Sequence, residues 1–427
     1  MTGWRPSRRA RPTSWVRPGG DASLLIAGQA VRACGYGFTA VLLGALLAAR
    51  GYSHLRAGVV LTALIAGTAL SSLVVGVLAD RVGRRRSYGA FFLGIAAAGA
   101  VVAVGAPFWV LLVVALTGTL STDVVDNGPA TTLEQAMLAV DDAGTARVFG
   151  LYNAVGAAAG ALGALAAALP GMAGGALSGW WFAVLVPVGL LGTVLSWRLS
   201  PAVEAGGGPL TLADAVTARS RLGPSRRVVH RLAGLFAVDA GGGGLVTTGF
   251  LAYYLAQRYA VSVTELGWLF FTIAGVQAVS VTIAPRLARR FGLVATMVGT
   301  HLPSNVLLAA VAFAPTFPIA VVLLLARTCL SQMDVPTRQA LVMSLVTPGE
   351  RTMAAAVTNA ARYTVRPIGP LVAGAVQQLA LGAPLVVAGA VKGGYDLALW
   401  RWARREGLAG RPAAAGDLGA AADGGAG

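Results

Sequence analysis

The sequence predicts an all-α polytopic membrane protein of about twelve transmembrane helices, arranged as two pseudo-symmetric six-helix bundles. Three observations carry this. Of 427 residues 56% are hydrophobic and only 12% charged, against about 25% charged in a soluble domain, and mean hydropathy is +0.71. Apolar runs of about 20 residues recur along the chain, the length a helix needs to cross hydrocarbon. The chain also repeats itself: adding 209 carries Gly58 onto Gly267, Arg81 onto Arg290 and Gly83 onto Gly292, and adding 204 carries Gln135-Ala136 onto Gln339-Ala340 and Arg147 onto Arg351.

In chain order, residues 1–22 form a basic tail that precedes an uncleaved first helix. Spans near 24–48, 57–79, 88–105, 108–131, 148–169 and 176–197 make a first bundle over residues 23–197. Residues 198–230 read as a polar linker, broken at Gly206-Gly207-Gly208-Pro209 and containing one short amphipathic helix from Leu210 to Leu222. A second bundle over 231–402 takes spans near 231–256, 265–284, 293–314, 317–338, 353–380 and 384–402. The glycine- and alanine-rich stretch 403–427 is expected to be disordered.

The net charge of +16 does not mark a nucleic-acid surface, because the arginines are spread over loops of one parity instead of one folded face. They cluster in the tail, after the second span (Arg81, Arg84, Arg85, Arg86), in the linker, after the eighth span (Arg286, Arg289, Arg290), around Arg338 and Arg351, and at the C-terminal end. Only Arg50, Arg56 and Arg258 fall in loops of the other parity. By the positive-inside rule both termini are cytosolic, in a protein integral to the plasma membrane. Cys34 and Cys329 match no metal spacing and read as small buried apolar residues. No H-E-x-x-H, no G-x-S-x-G and no ligand cluster occurs, so neither an enzyme, a metal site nor a cofactor is expected.

Between the second and third spans the chain reads Gly76-Val77-Leu78-Ala79-Asp80-Arg81-Val82-Gly83-Arg84-Arg85-Arg86. Here it resembles the major facilitator superfamily, whose signature is G-x-x-x-D-R-x-G-R-[RK]; Gly76, Asp80, Arg81, Gly83, Arg84 and Arg85 fill every position. Arg286 to Gly292 is a decayed copy in which Arg289 stands where the first has Asp80. The resemblance extends over about residues 23–402. It implies a monomeric carrier of a small solute that works by alternating access, with a cavity lined by helices one, four, seven and ten and the Asp80 loop latching the cytosolic side. Proton-coupled drug antiporters of the family carry an arginine signature on the fourth helix and G-x-x-x-G-P on the fifth. In this chain the fourth has no arginine and the Gly-Pro is Gly369-Pro370 on the eleventh, so multidrug efflux is not implied.

A charge at the bilayer centre costs about 2.5–3.5 kcal/mol and persists where it meets water or a partner. Arg32, Asp123, Asp239 and Arg327 lie at similar depth in the four cavity-lining helices, which predicts the pairs Arg32 with Asp123 and Asp239 with Arg327, or their cross-half equivalents. Asp126, near Asp123 on one face, and Asp334 lack an obvious basic partner and are the candidate proton carriers, with His301 a further titratable group. Arg362 and Arg366, four apart before Pro367 and Pro370, either bind an anionic group or pair with Asp334 or Asp396, while Lys392 and Asp396 are spaced as a local pair. The Gly241 to Gly244 run permits unwinding or close packing.

The expected function is secondary active transport of a small solute, coupled to protons, with export favoured over uptake. The alternatives are an uncoupled facilitator, a proton symporter for an anionic metabolite, and a non-transporting membrane sensor.

Overall fold

The computed structural model describes residues 20–122, 128–138, 145–174, 177–204, 222–347 and 350–408. The tails 1–19 and 409–427, the linker residues 205–221 with most of the expected amphipathic helix, and Asp123 and Asp126 lie outside the described residues.

Every regular element among the described residues is a helix. The first bundle comprises α1 Gly20–Ala49, α2 His54–Val82, α3 Arg84–Ala103, α4 Phe108–Leu116, α5 Pro129–Leu138, α6 Thr145–Ala166, the single turn α7 Leu169–Met172, and α8 Leu185–Trp197, entered through a 3-10 turn at Gly179–Val184. The second comprises α9 Arg226–Gly244, α10 Thr248–Tyr259, α11 Val263–Phe291, α12 Leu293–Val311, α13 Phe317–Ser331, α14 Asp334–Leu345, α15 Arg351–Val365, α16 Ile368–Val376 and α17 Ala383–Arg405. The fourth span is thus α4 with α5, the seventh α9 with α10, the tenth α13 with α14, and the eleventh α15 with α16.

Each break has a local cause. Gly118 adopts φ +69 at the end of α4, which a side chain rarely tolerates. The Thr247 side chain accepts from Phe250 N–H at 3.2 Å and starts α10. Pro367 separates α15 from α16. Among the described residues nine helical stretches are long and apolar enough to cross a membrane. The fourth span is interrupted by residues outside the described ones, the eleventh carries Arg362 and Arg366 beside its break, and in the twelfth α17 carries Lys392, Asp396, Arg401, Arg404 and Arg405. Val113, Leu162, Val279 and Val322 point outward and exposed, as side chains solvated by lipid do.

The arginine-rich signature is more helical than the sequence suggests. α2 runs on to Val82 and α3 begins at Arg84, leaving Gly83 alone as the turn, at φ +101. The decayed copy folds alike, with Gly292 at φ +89 between α11 and α12. Glu204 accepts from the Arg84 and Arg85 N–H groups at 2.7 and 3.1 Å, supplying negative charge to the start of α3. Arg85 donates to the Trp197 carbonyl at the end of α8, and Asp21 accepts from Ser200 N–H at 2.9 Å, so α1, α3 and α8 are tied together at this end. In the second bundle Glu350 accepts from Ser225 N–H at 3.3 Å, Thr347 Oγ1 at 2.9 Å and Gly223 N–H.

Within each bundle, glycines allow close helix contact: a Cβ on Gly163 would overlap the Cys34 carbonyl, and one on Gly37 the Gly160 carbonyl. Between bundles the same device recurs at the end remote from Gly83 and Gly292. Gly44 faces the Gly249 carbonyl, Gly58 the Pro370 carbonyl, Gly374 the His54 carbonyl, and Gly267 packs on Ala168. Tyr253 O–H donates to the Tyr52 carbonyl at 2.9 Å, and Thr264 Oγ1 to that of Ala168 at 3.2 Å. One apolar core, including Leu42, Leu64, Phe250, Leu266 and Leu385, crosses both bundles, whereas Val229, Phe236, Met297, Leu341 and Leu399 form a separate core at the near end of the second.

Cys329 is exposed and Cys34 half-buried, so the expectation of two buried thiols is corrected.

Two outcomes follow for stability, read as thermal unfolding in detergent. Gly163→Ala must push backbone apart and destabilises by about 1–3 kcal/mol, whereas Gly275→Ala, whose Cβ meets nothing within 4 Å, is neutral or slightly stabilising. Hydrogen bonds from the Ser225 side chain and Gly223 N–H hold the Glu350 carboxyl below its ordinary value. Its contribution is therefore complete at neutral pH and lost as pH falls below the ordinary glutamate range, so Glu350→Gln lowers the melting temperature at pH 7 and narrows its gap to wild type in acid.

Candidate functional site

Each bundle buries one constellation of charged and polar side chains at mid-helix. In the first, Arg32 on α1 donates from Nη2 to Glu134 on α5 at 2.8 Å, to Thr131 at 3.0 Å and to Gln29. The other Glu134 oxygen accepts from Tyr88 O–H on α3 at 2.6 Å, and Tyr152 O–H on α6 donates to the first. Arg32, Glu134, Tyr88 and Tyr152 are all within 1% of complete burial. Glycine makes the room: a Cβ on Gly28 would strike the Tyr88 hydroxyl and one on Gly156 the Gln29 amide. The charges of this pair balance, with one cation, one anion and hydroxyl donors on both carboxylate oxygens, while the Arg32 Nε is buried without a hydrogen-bond partner among the described residues.

The second constellation is larger. Asp239 on α9 accepts from Lys392 on α17, lies 3.5 Å from Arg338 on α14, and faces His301 Nε2 on α12 at 3.8 Å. Arg338 also holds Asp334 at 2.7 Å and lies over the Phe236 ring. His301 Nδ1 is 2.8 Å from Asp396 Oδ1, and Asn305 Nδ2 donates to Asp396 Oδ2 at 2.8 Å. All these charged groups are buried. The glycine run has a specific use here: α9 stays helical to Gly244, and the position a Cβ would take on Gly242 is filled by the Lys392 stem, which brings its amine to Asp239.

The repeat relates the two constellations with charges inverted. Adding 207 carries Arg32 onto Asp239, and adding 204 carries Glu134 onto Arg338, so a cation on the first span and an anion on the fourth become an anion on the seventh and a cation on the tenth.

Several expected partners are corrected by this geometry. Arg32 pairs with Glu134, not with Asp123, which together with Asp126 lies outside the described residues. Asp239 takes Lys392 and Arg338 in place of Arg327, which is half-buried with its Nε lacking a hydrogen-bond partner among the described residues. Asp334 has a basic partner after all, Arg338, which the charge distribution had assigned to a cytosolic loop. Lys392 and Asp396 share a helix but pair with Asp239 and His301 instead of each other. Arg362 and Arg366 flank the break at Pro367 and are half-buried, and neither ion-pairs with Asp334 or Asp396 through any contact seen here. In the signature, Arg84 is buried, Arg81 is exposed, and Gly76 and Asp80 fall in α2 while their surroundings lie outside the described residues.

Glu134 and Arg338 were missed, although both directly precede the repeated Gln-Ala dipeptide. Setting the fourth span at 108–131 left Glu134 in a loop, whereas α5 runs to Leu138. Among the described residues no group of three His, Cys, Asp or Glu is arranged to hold a metal ion.

A family model described as Major Facilitator Superfamily matches residues 25–370. An uncharacterized membrane protein of Saccharomyces cerevisiae is 27% identical over 392 residues, covering 83% of this chain and 87% of its own. Among solved structures the nucleoside transporter NupG superposes with a TM-score of 0.69 at 16% identity, covering 89% of this chain and 97% of its own. A D-xylose-proton symporter gives 0.67 at 15%, covering 89% and 97%, and the human organic anion transporter MFSD10 gives 0.61 at 18%, covering 90% and 100%. At these identities the structures attest to a shared fold.

The buried pair of Arg32 and Glu134 makes a direct forecast. Glu134→Gln leaves Arg32 buried without its counter-charge and lowers stability by about 3–5 kcal/mol, while Arg32→Gln with Glu134→Gln recovers most of the loss; detergent unfolding curves of the four proteins check it.

Proposed function

The chain belongs to the major facilitator superfamily, and from that premise we propose that it is a secondary active transporter that moves a small solute by alternating access, coupled to protons, with export the favoured direction. The carrying observation is that, among the described residues, the glycine seams between the bundles lie at one end while each bundle buries a charged constellation at mid-helix. The arginine-rich near end is cytosolic in this reading, with both termini on the cytosolic side of the plasma membrane. The state described is then sealed toward the outside. Rocking to the opposite state parts the seams of Gly44, Gly58, Gly267 and Gly374, where backbone lies close to the facing helix. The Gly76 to Arg85 signature, with Asp80 its acid, latches the near end when that state is reached.

Coupling has the energy it needs. One charge moved through 100 mV yields about 2.3 kcal/mol, enough for about a fifty-fold gradient of a neutral solute. Arg32 with Glu134 holds the first bundle rigid, and the proton pathway runs through Asp239 and its neighbours, since that constellation alone of the two contains an imidazole.

A second reading, symport of an anionic solute with protons, is favoured by one specific feature. Arg362, one of four arginines whose Nε is buried without a hydrogen-bond partner among the described residues, lies beside the break at Pro367, and its charge acts on Asp239 and Asp334.

Both readings are tested by reconstituting the full chain in liposomes with an internal pH dye and adding nucleosides, pentoses and organic anions with and without an imposed pH gradient. At least one class moves and dissipates or builds the gradient; a protein that moves none of them refutes the proposal. Gly58→Leu, which wedges the seam at Pro370 and Gly374, slows that flux at least about tenfold, the effect of about 1.4 kcal/mol on the barrier.

A further inference from the structure

Arg362 and Arg327 are charges of the second bundle that take no part in these pairs, and Arg362 is the one whose charge acts on the cluster. Asp239 holds Lys392 and Arg338, Asp334 holds Arg338, and Asp396 holds His301 and Asn305. No hydrogen bond or ion pair from another described residue reaches the Arg362 guanidinium. Gly241 against Val365 and Gly244 against the Arg366 carbonyl set α9 beside α15 in a register that brings Arg362 to the depth of Asp239, and its charge acts on Asp239, Asp334 and Arg338. Guanidinium keeps its proton in a protein, so this charge is permanent.

His301 is the adjustable member. The groups against it are Asp239 on α9, Asn305 on its own helix, 3.2 Å from Nδ1, and Tyr395 and Asp396 on α17; Arg338 and Lys392 join the cluster through Asp239, and Asp334 through Arg338, while among the described residues neither α11 nor α13 forms an ion pair with His301. Three carboxylates stand against two fixed cations, which leaves one negative charge in excess. Either the field of Arg362 offsets it or a proton on His301 does. A neutral imidazole donates from one nitrogen only, whereas the protonated ring donates from both. Nδ1 is 2.8 Å from Asp396 and Nε2 is 3.8 Å from Asp239, so the protonated ring has a carboxylate on each side.

We infer that Arg362 receives the anionic head of the solute, a carboxylate, sulfonate or phosphate, and that docking there draws one proton from water onto Nε2 of His301, between Asp239 and Asp396. This rests on the second transporter reading, symport of an anionic solute with protons, and names its substrate class. The bound anion cancels the field of Arg362, the excess negative charge of the cluster is uncovered, and the ring takes up the proton while Nδ1–H stays on Asp396. Linkage makes the effect reciprocal: the proton tightens the anion as much as the anion tightens the proton. One monoanion and one proton then cross together with no net charge.

The test reads protonation directly. His54→Gln with His230→Gln leaves His301 as the last of the three histidines and the cluster whole. Its imidazole is titrated by NMR of 13C-histidine-labelled protein in nanodiscs, alone and with benzoate, benzenesulfonate or phenyl phosphate. At least one probe raises the proton affinity of His301 about fivefold or more, a shift of about 0.7 pH unit, and adding Arg362→Gln abolishes the shift. A titration that none of the three moves, or a shift that survives Arg362→Gln, overturns the inference. Should the double variant not fold, wild-type protein in weak buffer reports the same event, since probe binding takes up protons; no uptake with any probe overturns it equally. The transporter reading fails separately: a protein that takes up the proton with the anion yet moves no solute in liposomes keeps this site and loses that function.

Discussion

The structure depends on one electrostatic constraint: an ionised group surrounded by hydrocarbon must be answered by an opposite charge or by water. Arg32 and Glu134 answer it charge for charge, a 2.8 Å pair in which Tyr88 and Tyr152 also donate to the carboxylate. Four helices, α1, α3, α5 and α6, are pinned to one point by that requirement. The helices that bring these groups together are then free to be plain elsewhere, with small residues at their seams and aliphatic side chains toward lipid. Stability of the first bundle and the register of its helices are thus two aspects of one buried pair.

The second bundle obeys the same constraint with more members and looser closure. Lys392 reaches Asp239 only because Gly242 has no side chain to stand in its way, so the glycine run and the lysine form a single device. Glycine plays a different part between bundles, where backbone meets backbone at Gly44, Gly58 and Gly374. Such seams give dispersion contact over a short distance, and those among the described residues lie at one end. A joint of that kind holds the bundles together and still permits them to part.

Much of the architecture was legible in the sequence because hydrophobic length and loop charge act locally. The Gly83 turn, its copy at Gly292 and the break at Pro367 were legible for the same reason, each being set by the conformational limits of a single residue. Partner choice was not, since it depends on rotation of helices about their axes. Asp334 and Arg338, four apart on α14, were separable only by deciding where the tenth span ends, and a few residues of error sent Arg338 to the cytosol. The pairing of Lys392 with Asp239 bridges 153 positions of chain, and the local spacing of Lys392 and Asp396 pointed to the nearer acid instead. Glu134 was recoverable: it and Arg338 occupy equivalent places before the repeated Gln-Ala, and their opposite signs mirror those of Arg32 and Asp239.

That inversion of sign has a mechanical consequence. Two halves with identical pairs would compete equally for any charged ligand entering between them, and neither would have a reason to change its protonation. Among the described residues the cluster of the first half balances one cation against one anion and contains no imidazole, so in this reading it supplies a rigid wall. The second half holds an odd number of compensations, three carboxylates against two fixed cations, with His301 between two of the acids and Arg362 alongside. An imbalance of one charge is the smallest that a single proton or a single anion can correct. Placing it in one bundle only lets the protonation of that bundle, and hence its packing, depend on what has bound, while the other keeps its shape.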